Sequence, residues 1–150
     1  MLINKIIAFL MCLISFNAFS AITISTHKDI NFGTILPYGI PAILIVNPDG
    51  SYNDPQGIVQ RSQGIQPASF VVTSTTKNVD LFISTPNSFT LSNGINTLTV
   101  TNVTNSWDGV YQLSGKNKRA KLTVGGTMNI PAGYISGGDY QGTLTISVDY

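Results

Sequence analysis

The chain has 150 residues, only 10% of them charged, with eight lysines and arginines against seven acidic residues, all aspartate. So even a balance leaves no electrostatic footprint for nucleic acid or an anionic membrane surface. One cysteine and one histidine exclude a tight zinc centre.

Residues 1–20 read as a secretory signal peptide. Lys5 supplies the positive start, Ile6 to Phe16 the short apolar stretch, and Ala18-Phe19-Ser20 a small-x-small cleavage site before Ala21. The apolar run is well short of the ~20 residues that span a bilayer, so no membrane span is expected after cleavage. Cleavage also removes Cys12, so the mature chain holds no disulfide or thiol. Residues 21–150 are long enough for one domain with its own core. The expected destination is the periplasm, the cell surface or the medium.

From Ala21 onward no helical period holds, and short β-branched runs alternate with Gly, Pro, Asn and Asp clusters. In ITISTHKDINF, Ile22, Ile24, Ile30 and Phe32 share one face and His27 and Asp29 the other. AILIV (Ala42 to Val46) is a continuous apolar run closed by the turn signal NPDG. SFVVTST, VDLFIST, LTVTNV, AKLTV and TMNIP follow, the last two separated by Gly125-Gly126, which predicts a bulge or bend. In the final run Leu144, Ile146, Val148 and Tyr150 alternate with Thr143, Thr145, Ser147 and Asp149. Pro37, Pro41, Pro48, Pro55, Pro67, Pro86 and Pro131 fall at the ends of runs, where no ladder hydrogen bond is lost. Roughly eight to ten short strands are expected, in an all-β sandwich or barrel.

No run carries an enzyme's signature, and no catalytic residue, metal ligand or cofactor is predicted. His27 beside Asp29 lacks a nucleophile and reads as a solvated edge pair. The acid-rich loop Asn47 to Gly57 lacks the spacing and closing glutamate of a calcium loop and reads as a hairpin turn. Lys116, Lys118, Arg119 and Lys121 read as charges that protect a hairpin tip. Trp107 with Asp108, and with Tyr111 nearby, suits either a sugar-stacking platform or a plug for one end of the core.

Three stretches carry a resemblance: FGTI at Phe32 to Ile35, VGGTMNIPAG at Val124 to Gly133, and YQGTLTISVDY at Tyr140 to Tyr150. In this order they resemble a family of exported bacterial proteins known as a domain of unknown function. That family in turn is similar to the spore coat protein U type pilins of archaic chaperone–usher systems. The resemblance implies an immunoglobulin-like β-sandwich, either complete or pilin-like and lacking its final strand. It further implies a fimbrial surface subunit assembled by donor-strand complementation and serving adhesion or coating. Its partners would be other pilin-like subunits, a periplasmic chaperone and an usher.

On that reading Leu144, Ile146, Val148 and Tyr150 line a groove, and the strand beside them is expected from another molecule. Only residues 21–31 precede Phe32, so Ile22, Ile24, Ile30 and Phe32 either form the sandwich's first strand, or Ile22 and Ile24 belong to a donor segment. A free-standing secreted carbohydrate-binding module, with a glycan held by Trp107, Asp108 and Tyr111, is the alternative.

Overall fold

The structure, a computed structural model, describes residues 21–36, 39–62, 64–76, 78–107, 109–113, 118–133 and 137–150. The expected signal peptide, Pro37, Asp108 and Lys116 lie outside these. Twelve extended segments occur among the described residues, and none of these residues is helical. In chain order they are β1 (Ile22–Lys28), β2 (Thr34–Ile35), β3 (Ala42–Val46), β4 (Tyr52–Asn53), β5 (Val59–Arg61) and β6 (Ala68–Ser74). Then come β7 (Val79–Ser84), β8 (Ser88–Ser92), β9 (Thr97–Asn105), β10 (Val110–Leu113), β11 (Arg119–Ile130) and β12 (Ser147–Asp149).

The organising strand is β11. Along one edge it pairs first with β6, through Arg119 to Val124, and then with β3, through Gly126 to Ile130. Along the other edge it pairs with β9, which in turn pairs with β8. The change of neighbour falls at Gly125-Gly126, where the register with β9 shifts. Only glycine fits there: a Cβ on Gly125 would lie 2.1 Å from the Val46 carbonyl oxygen, and one on Gly126 2.7 Å from a Val100 methyl. AKLTV and TMNIP are therefore halves of one bent strand and not two strands. The double glycine, itself a turn signal, hides their continuity.

β1 pairs with β6, giving a layer in the order β1-β6-β11-β9. The facing layer is β10-β7-β12. With β1, β6, β9 and β11 as strands A, B, D and E, and β7 and β12 as C and F, this is the pairing of an immunoglobulin-like sandwich. Alternation places the core. Phe70 and Val72 of β6 and Leu122 and Val124 of β11 meet Leu81 of β7 and Leu113 of β10 across the layers. A second cluster gathers Leu44 and Val46 of β3, Leu91 of β8, Leu98 and Val100 of β9, and Met128 and Ile130 of β11 around Phe32, Ile35 and Ile58. β8 and β10, absent from the expected set, are short runs whose apolar residues are too few to show a period.

The first strand also departs from expectation. Ile22 and Ile30 are half-buried and Phe32 is core, but Ile24, on the same predicted face, is 39% exposed. β1 pairs with β6 along its length, with a register shift between Thr26 and Lys28, so Ile22 and Ile24 sit in the chain's own first strand.

Candidate functional site: an open groove between β1 and the terminal strand

Residues 138–149 run antiparallel beside β8 and then β7. Gly138 bridges Ile35, and Gln141 exchanges both backbone hydrogen bonds with Ser92, at 2.7 and 3.0 Å. Ser147, Val148 and Asp149 pair with Ser84, Ile83 and Phe82. Gly142 allows the close approach, since a Cβ there would lie 2.1 Å from the Thr90 carbonyl oxygen. The Thr34 hydroxyl donates to Asp139 Oδ1 at 2.8 Å, and Asn93 Nδ2 donates to the Tyr140 hydroxyl at 3.0 Å. The first of these contacts, with the Ile35–Gly138 bridge, joins FGTI to the start of the terminal run.

One edge of β12 faces β7. In the immunoglobulin order a further strand, G, lies along the other edge. Among the described residues no strand occupies that place. Leu144, Ile146 and Val148 point inward as their alternation predicts, yet all three remain half-buried. Tyr150 is 61% exposed.

Across the gap stands β1, whose only strand partner among the described residues is β6. Ile22 packs into the same cluster as Val148, and Thr26 lines the same cavity as Leu144. β1 and the terminal run thus border the same core cluster and the same cavity. At one end the gap widens into a cavity of about 820 Å³ between the β1–β2 and β5–β6 connections and the terminal run. Phe70 and Leu144 line it together with Asp29, Asn31, Gln66 and Asp139.

The remaining candidates are placed away from this groove. Trp107 is 7% exposed, donates its indole N–H to the Lys121 carbonyl at 3.0 Å, and stacks on Tyr111 with ring centroids 4.0 Å apart. That is a plugged core end, with one indole face already covered. In the acid-rich loop, Asp49 accepts from the backbone N–H and hydroxyl of Ser51, which hold its carboxyl below the ordinary aspartate value. Asp54 accepts the backbone N–H groups of Ile58 and Val59. Both carboxylates are thus occupied in shaping turns. Lys118 donates to the Thr75 carbonyl, while Arg119, Lys121 and His27 are exposed.

Fold and groove together define the class: an immunoglobulin-like sandwich with an uncovered strand edge beside a half-buried apolar row. The chain belongs to the family described as Domain of unknown function (DUF4402), which it matches over residues 22–150. Comparison with curated proteins and with solved structures finds no match.

Proposed function

We propose that the protein is an exported, pilin-like surface subunit whose groove takes up an extended segment of another molecule. The segment would complete the sandwich as the strand beside β12. The observation that carries this reading is the half-buried inward row of Leu144, Ile146 and Val148 beside a β12 edge that no strand among the described residues pairs. An open edge beside apolar side chains is a template for strand addition. Each large side chain seated there would contribute on the order of 1.5–3 kcal/mol. The resemblance of FGTI, VGGTMNIPAG and YQGTLTISVDY to spore coat protein U type pilins supports the same reading. It also points to a neighbouring subunit, and before it a periplasmic chaperone, as the source of the strand. The carbohydrate-module reading has less behind it, because the Trp107 indole is buried, stacked and hydrogen-bonded.

Light scattering on a sizing column tests the proposal, using full-length chain exported to a bacterial periplasm without partners. Swapped dimers, ordered polymers or aggregates that give way to a monomer on adding an alternating apolar peptide are expected. A folded monomer that ignores such a peptide would overturn it.

A further inference from the structure

The groove changes character along its length. Over Ile146, Val148 and Ile22 it is apolar, whereas the cavity at its other end presents Asp29 and Asp139. No lysine, arginine or histidine among the described residues lines that cavity. Among the described residues neither carboxylate forms an ion pair. Lys28 and His27, the nearest basic groups in sequence, are exposed on β1 and do not line it. The Thr34 hydroxyl occupies one oxygen of Asp139, fixing the carboxylate and leaving the other oxygen to accept. Gln66 Nε2 donates to the backbone carbonyl of Asp29, which holds that residue at the rim.

We propose that the segment filling this groove is basic at one end. A lysine or arginine side chain comes to rest between Asp29 and Asp139, and large apolar residues at alternate positions cover Leu144, Ile146 and Val148. This rests on the strand-uptake reading above and adds its chemistry. An apolar end would leave two carboxylates partly desolvated and uncompensated. An acidic end would meet like charge from two exposed carboxylates, a repulsion that salt screens. A cation supplies the missing partner and gives the groove a direction. An alternating strand fits a groove either way round by its apolar residues alone, and the charged end selects one orientation.

The test uses three peptides with identical alternating apolar residues and lysine, glutamine or glutamate at one terminus, plus a second set with these at the other terminus. Binding to the full chain is followed by fluorescence anisotropy at low and high salt. In one of the two sets the lysine peptide is expected to bind roughly tenfold tighter than the glutamate peptide at low salt. The ratio should fall toward one at high salt. It should also fall toward one in the Asp29→Asn/Asp139→Asn double variant, whose folding circular dichroism checks. Should that variant not fold, the salt dependence of the unaltered protein decides. Equal affinities throughout both sets would overturn the charge claim and leave strand uptake standing. No binding by any peptide would overturn both.

Discussion

Around the second half of β11, Val46, Val100 and Met128 are at most 1% exposed, each with a strand paired on either side. Between β1 and β12 the same alternation of apolar and polar residues yields a different result. Leu144, Ile146 and Val148 stay half-buried and Ile24 is 39% exposed. The contrast shows that a period of two fixes which face a side chain takes, while burial depends on whether another strand lies across it.

Substitutions that separate the sealed side from the open side break or sharpen this contrast. Leu122→Ala, at a site with no exposure, should cost about 3–4 kcal/mol in urea unfolding whether or not a peptide is present. Gly125→Ala forces a methyl against the Val46 carbonyl and should cost ~2–3 kcal/mol. Ile146→Ala should cost only about 1 kcal/mol in the uncomplemented protein, because that side chain still meets solvent. Its cost should rise once a peptide fills the groove. An equal cost in both states would mean that Ile146 is no part of the groove.

The smallest effect concerns the turn after β3. Asp49 is held below its ordinary value of 3.8 first by the Ser51 hydroxyl and then by the Ser51 N–H. The carboxylate's support for the turn is thus present above pH 3.8 and is lost as pH falls through the lowered value. The Ser51 amide resonance should move in that acid window, and Asp49→Asn should abolish the movement.

Much of the sandwich was legible in the sequence because alternation in β9, β11 and the terminal run is regular. The bend at Gly125-Gly126 was legible as a bend but not as the interior of one strand, since two glycines also signal a turn. The row Leu144, Ile146 and Val148 was legible as one face. Its incomplete burial was not legible in the alternation, which fixes a face and not what covers it, and was expected only from the resemblance. Asp29 and Asp139 lie far apart in sequence yet come to line one cavity, the second held there by the Ile35–Gly138 bridge and the Thr34–Asp139 hydrogen bond. No local pattern encodes such a meeting. Trp107 was ambiguous between platform and plug until its N–H was found on the Lys121 carbonyl.

The most direct test of the open groove is amide hydrogen exchange on the exported protein, comparing residues 143–149 with residues 122–130 of β11. Fast exchange in the terminal run, slowing sharply when an alternating apolar peptide is added, is the predicted result, with β11 protected throughout. Protection of residues 143–149 equal to that of β11 without any peptide would contradict the account, because it would mean the edge is already covered.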